Sequence, residues 1–279
     1  MKLNEEKLPI KGNLKVVYIL SVLIACIFVF TSVYGILLGS SIYPTEELFN
    51  NFISNDFVNL LIGLPIILVS IVFTFRCKLV GLLFLPGSLL FIIYNYMIYI
   101  LAIPLNWVIP FYLILIISSL YAIIKLFTSI NGEKIQKLLK GVVHERISGT
   151  ILIGLGLLFM IQAASAIIEL IIDQIQITGI ELAVHISDFA ISPFLIIGGT
   201  LLLRRKTFGY VSGLGLLFQA SMLFIGLIVF LIIEPLLTTT PFPIVDIIVV
   251  SIMGLISFIP LTLFIRGVNE KDNSSISKS

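Results

Sequence analysis

The chain has 279 residues, 59% of them hydrophobic and only 11% charged, with a mean hydropathy of +1.18. A soluble domain carries about a quarter charged residues, so the polar side chains here are too few to cover a water-facing surface. The formal net charge of +2 and the lack of a long basic run exclude nucleic acid as a partner, and the two cysteines, Cys26 and Cys77, form neither a disulfide framework nor a zinc pattern.

The solvent for most of the chain is therefore lipid. A hydrocarbon core of about 30 Å takes about 20 apolar helical residues, because a helix satisfies its backbone hydrogen bonds internally. Uncharged runs of that length fall at 16–39, 57–75, 79–102, 106–124, 148–172, 189–203, 208–233 and 245–265. The sixth is short unless it begins near Leu182. The first is too long for a signal peptide and lacks a small-x-small cleavage site. The fold class expected is all-α, a polytopic membrane protein with eight transmembrane helices.

Orientation follows the rule that loops rich in Lys and Arg stay in the cytoplasm. With eight spans all 17 basic residues fall on one side, in both tails, the turns at 76–78 and 204–206, and the stretch from Lys125 to Arg146. Gaining or losing one span would scatter them. The expectation is a cell-membrane protein with both termini cytoplasmic.

A shift of 128 residues aligns Pro65 with Pro193, Arg76 with Arg204, Lys78 with Lys206, Gly81 with Gly209, Gly87 with Gly215 and Leu89 with Leu217. Upstream, Asn55-Asp56-Phe57 resembles Ser187-Asp188-Phe189 once a gap of four residues, about one helical turn, is allowed. Each half has an even number of spans, so the halves enter the membrane the same way round. The expected organisation is a cytoplasmic tail (1–14), a four-helix repeat (15–128), a basic linker (129–147), a second repeat (148–267) and a C-terminal tail (268–279), with a pseudo-twofold axis along the membrane normal. The linker, with Asn131-Gly132 and His144, reads as a short amphipathic helix or loop on the cytoplasmic surface.

No Asp, Glu, Lys, Arg or His is expected near the bilayer midplane, which disfavours a proton- or sodium-coupled carrier. The polar groups at depth are Asn95, Gln162 and Gln219, read first as interhelical hydrogen bonds and second as the lining of a cavity. The run Tyr94-Asn95-Tyr96-Met97-Ile98-Tyr99 reads as an interfacial aromatic belt. Gly35 with Gly39, Gly209 with Gly213, and Gly154 with Gly156 read as helix-packing positions, and the two basic turns as topology determinants that snorkel to the interface.

The outer segments concentrate acids: Glu46, Glu47, Asp56, Glu169, Asp173, Glu181, Asp188, Glu234 and Asp246. Asp56 and Asp188 are expected to begin equivalent helices, where a carboxylate caps the positive end of the dipole. Glu169 with Asp173, and Glu181 with His185, are spaced four apart on a shared helical face, and Asp188 follows three residues later. These residues and Asn95 are the candidate ligand-binding set, and nothing in the sequence calls for a cofactor. The partners expected are membrane lipids, a cationic small molecule or metal at the outer face, and a second copy of the chain. The function expected is non-enzymatic binding, transport or scaffolding, and the alternative is a membrane enzyme or metal-binding protein with an outward acidic site.

Overall fold

In hydrocarbon every backbone N–H and C=O must find its partner within the protein, and the chain meets that demand with helices throughout. The structure is a computed structural model that describes residues 8–172 and 178–276, with side chains described as far as residue 271. It contains α1 (Lys15–Leu38), α2 (Glu46–Val58), α3 (Leu64–Phe75), α4 (Leu79–Ala102), α5 (Ile109–Ser129), α6 (Gly132–Leu139), α7 (Glu145–Ile172), α8 (Gly179–Leu203), α9 (Thr207–Leu237) and α10 (Ile244–Ile276). A π-helical turn, Asn59–Gly63, joins α2 to α3 into one span. Among the described residues eight helical segments are long and apolar enough to cross a membrane, as in an all-α polytopic protein.

The spans fall where the apolar runs predict them, with two differences at the acidic end. The second span begins at Glu46, about a turn and a half after α1, because Thr45 accepts a hydrogen bond from the Leu48 N–H and opens a helix whose first turn carries Glu46 and Glu47. The sixth begins at Gly179, where Thr178 and Glu181 close a reciprocal capping box. Asp56 is therefore the eleventh residue of α2 and Asp188 the tenth of α8, so neither caps a helix.

Two tight turns at the other end are built alike. Arg76, Cys77 and Lys78 send their N–H groups back to the carbonyls of Val72, Thr74 and Phe73, and Arg204, Arg205 and Lys206 do the same to Thr200, Leu202 and Leu201. Cys77 and Arg205 both take left-handed backbone, at φ 57° and 51°. Gly81 and Gly209 then let the next helix leave against the backbone of the one just ended, at Phe73–Thr74 and Leu201–Leu202.

The centre of the bundle is the crossing of α4 and α9. A β-carbon on Gly87 would run into the backbone of Gly215, and beside this contact Phe84 and Phe218 stack at 4.1 Å. α4 is the most enclosed span, with 83% of its apolar window inside the bundle. Large apolar side chains on α1, α5 and α10 instead face outward, as a lipid-facing surface requires.

The basic end is tied together by polar contacts. Ile10 pairs with Ile130, and the Gln136 amide donates to the Arg205 carbonyl and accepts from the Thr207 hydroxyl. Glu145 accepts from the Gly141 N–H and the Tyr210 hydroxyl, with the Arg205 guanidinium at 3.9 Å. Helix α6 is amphipathic as predicted, but its apolar residues Ile135 and Leu139 are buried against the bundle rather than against lipid.

Candidate functional site

At the acidic end α2, α4, α7, α8, α9 and α10 surround a cavity of about 410 Å³. Its wall is mostly apolar, including Phe91, Phe159, Phe224 and Phe230. Set into it are six polar side chains: Asn51 and Asn55 from α2, Tyr94 and Asn95 from α4, Gln162 from α7 and Asp188 from α8. An apolar chamber with a few convergent polar groups is the usual form of a small-molecule site.

The polar groups hold one another in place across helices. Asn51 and Asn55 are one turn apart on α2, and the Asn55 amide reaches the Asn95 carbonyl oxygen at 3.5 Å. Asn95 in turn donates to the Phe91 carbonyl at 3.0 Å. The Tyr94 hydroxyl donates to Asp188 Oδ1 at 2.8 Å, linking α4 to α8. Among the described residues that leaves Asp188 as the one carboxylate on the cavity wall.

Behind the same stretch of α2, facing α1 and away from the cavity, is a second polar cluster. Asp56 is 1% exposed, and its carboxylate accepts from the Tyr43 hydroxyl at 2.6 Å and from the Tyr99 hydroxyl at 2.8 Å. The Asn59 amide donates to the Tyr99 hydroxyl at 3.3 Å. Tyr96, Tyr99 and Tyr112 pack ring to ring with centroids 5.1–5.2 Å apart, and Tyr96 hydrogen-bonds Thr31 at 2.6 Å. Tyr43 lies in the connection between α1 and α2, where burial first and Asp56 second push its phenol well above the ordinary value and keep it a donor.

These two clusters correct several expectations. The tyrosines of α4 are not an interfacial belt: Tyr96 and Tyr99 are fully buried, and Tyr94 bonds Asp188. Asp56 and Asp188 lie within helical segments long and apolar enough to cross a membrane rather than at their first residues. Asn95 and Gln162 line the cavity, whereas Gln219 is fully buried on α9 with neither amide atom hydrogen-bonded.

The acidic set does not converge. Glu169 is exposed on α7, Glu181 is committed to capping α8, and Asp173 lies outside the described residues. His185 is half-buried one turn before Asp188, its Nδ1 buried without a hydrogen bond. Among the described residues no three His, Cys, Asp or Glu side chains come close enough to hold a metal. Gly35 and Gly209 are packing positions as expected, but Gly154 has open space where its β-carbon would be.

Asn51, Tyr43 and Tyr112 were missed, and Tyr99 was read only as part of an interfacial belt. The signal was present as amides and phenols at helical spacing: Asn51 with Asn55, and Tyr96 with Tyr99. No protein-family model, no curated protein and no solved structure matches the chain.

Proposed function

We propose that this membrane protein binds a lipophilic organic cation in the cavity between α2, α4 and α7–α10, for transport or sequestration rather than for chemistry. The observation that carries the reading is Asp188: among the described residues it is the one carboxylate on a mostly apolar wall that includes Phe52, Phe91, Phe159, Phe224 and Phe230. Every described Lys and Arg lies in the segments of the opposite end, which leaves His185, one turn earlier on α8, as the basic side chain beside the carboxylate among the described residues. A charged group in such surroundings favours a mobile countercharge, and the aromatic faces add to the attraction of a cation.

In this reading the cavity opens outward and both termini are cytoplasmic, in accordance with the positive-inside rule. The matched turns at 76–78 and 204–206 and the α4–α9 crossing support two parallel four-helix repeats, 15–128 and 148–267. Reporter fusions after Pro44, Leu105, Thr178 and Thr240 then read as exterior, and fusions after Lys78, Lys140 and Arg205 as interior. An interior signal from any of the first four sinks the orientation.

The binding reading is tested with tetraphenylphosphonium and the purified full-length protein by calorimetry. Asp188→Asn keeps the shape and the Tyr94 contact but removes the charge, and affinity falls about tenfold or more. Equal affinity in the parent and Asp188→Asn would falsify the assignment.

A further inference from the structure

We propose that Asp56, Asn59 and the hydroxyls of Tyr43, Tyr99 and Tyr112 form a buried sodium ion site, separate from the cavity and independent of what the cavity binds. The first support is charge. Asp56 is enclosed at 1% exposure, and both of its described hydrogen bonds come from neutral phenols. Hydrogen bonds from phenols stabilise a carboxylate but leave its charge uncompensated in a low-dielectric interior. One monovalent cation makes the cluster neutral.

The second support is a pair of buried oxygens with unused lone pairs. Asn59 Oδ1 is fully buried without a hydrogen bond, and the Tyr112 hydroxyl, fully buried as well, has the Tyr43 phenol beside it but no close hydrogen bond of its own. Asn59 is tied into the cluster through its own amide nitrogen, which donates to Tyr99, and its oxygen is left free. The Tyr112 ring packs on Tyr99 at 5.2 Å, so its hydroxyl belongs to the same knot of phenols. Protonation of Asp56 would remove the charge but would supply at most one donor for these oxygens. A buried water would serve the oxygens but leave the charge. A small hard cation does both, because hydroxyls that donate to Asp56 still present lone pairs to a metal ion.

The chemistry selects the ion. All the available ligands are hard oxygens, which excludes soft metals. A single carboxylate suits a monovalent ion, whereas calcium sites draw on more oxygens and usually more carboxylate charge.

The backbone is shaped around this point as well. A β-carbon on Gly35 would collide with Asp56 Oδ2 and the Tyr43 hydroxyl, so glycine leaves the space that the cluster occupies. The π-helical turn begins at Asn59 itself, and such turns interrupt the regular helical ladder and often mark functional sites. Phe52, which packs against Tyr43 and Tyr99, also faces the cavity, so the ion would stiffen one cavity wall from behind.

The test uses the purified full-length protein in detergent, with radioactive sodium binding and thermal unfolding in sodium chloride against N-methylglucamine chloride at equal ionic strength. The parent binds sodium saturably, and its Tm rises by about 5 °C at about 100 mM sodium chloride. Asp56→Asn abolishes both effects, Asn59→Ala weakens binding by about tenfold, and Glu169→Gln, at an exposed position outside both clusters, leaves it unchanged. The proposal is overturned if the parent shows no saturable sodium binding, or if Asp56→Asn binds as the parent does. Should Asp56→Asn not fold, Asn59→Ala and Tyr112→Phe decide: parental affinity in both overturns the site, and a loss in both supports it.

Discussion

Asp56 and Asp188 occupy nearly the same place in their helices, yet their surroundings are opposite. Asp56 is sealed beneath Tyr43 and Tyr99, while Asp188 is half-buried, accepts from Tyr94 alone and faces a cavity. The difference comes from helix α4, which supplies a phenol to each: Tyr99 to the acid of its own half and Tyr94 to the acid of the other. The positions 128 residues further on are Met222 and Leu227 on α9, which have no hydroxyl to offer. A few side-chain identities therefore leave one acid sealed among phenols and the other on the wall of an open chamber.

This contrast can be broken most severely at Gly35. Gly35→Ala forces a methyl group into Asp56 and Tyr43, and destabilisation of about 1–3 kcal/mol is expected in mixed-micelle unfolding. Gly154→Ala has open space around it and is neutral or stabilising, by up to about 1 kcal/mol. Equal effects of the two substitutions would mean that the space beside Asp56 is not tightly occupied.

The next largest effect separates the tyrosines. Tyr99→Phe removes a donor from a fully buried carboxylate and costs about 1.5–3 kcal/mol, the usual range for a hydrogen bond to a charged group. Tyr94→Phe leaves Asp188 beside a cavity that water can enter, and about 1 kcal/mol or less is lost. If Tyr94→Phe proves the costlier, the assignment of closed and open sites is reversed. The smallest effect is that of Asp188→Asn on stability, within about 0.5 kcal/mol, since asparagine keeps the shape and can still accept from Tyr94. A loss of several kcal/mol there would make Asp188 a structural residue.

Much of the architecture was legible because lipid imposes it. Apolar runs gave the eight spans, and scarce residues such as Arg76, Arg204, Gly87 and Gly215 marked the equivalent turns and the point where α4 meets α9. The site was legible only in part. Asn95, Gln162 and Asp188 were singled out and do line the cavity, whereas Glu169 and Glu181 do not join them and His185 acts on Asp188 without lining the cavity. Asp56 was misplaced because a hydropathy window stops at the first cluster of polar residues. Helix α2 continues through Asn50, Asn51, Asn55 and Asp56, since Asn51, Asn55 and Asp56 make their contacts inside the bundle.

What the sequence by itself determined is the solvent of each segment. Hydrocarbon tolerates only helices whose backbone is satisfied internally, so the number and approximate ends of the spans follow from hydropathy alone. Tertiary structure decided where each polar side chain in those helices points, and with it which acid is sealed and which is open. A helix presents its residues all around its axis, and whether Tyr94 and Tyr99 meet an acid, a cavity or lipid depends on which helices pack beside α4. The packing at Gly87 and Gly215 sets those neighbours, through a contact between residues far apart in the chain.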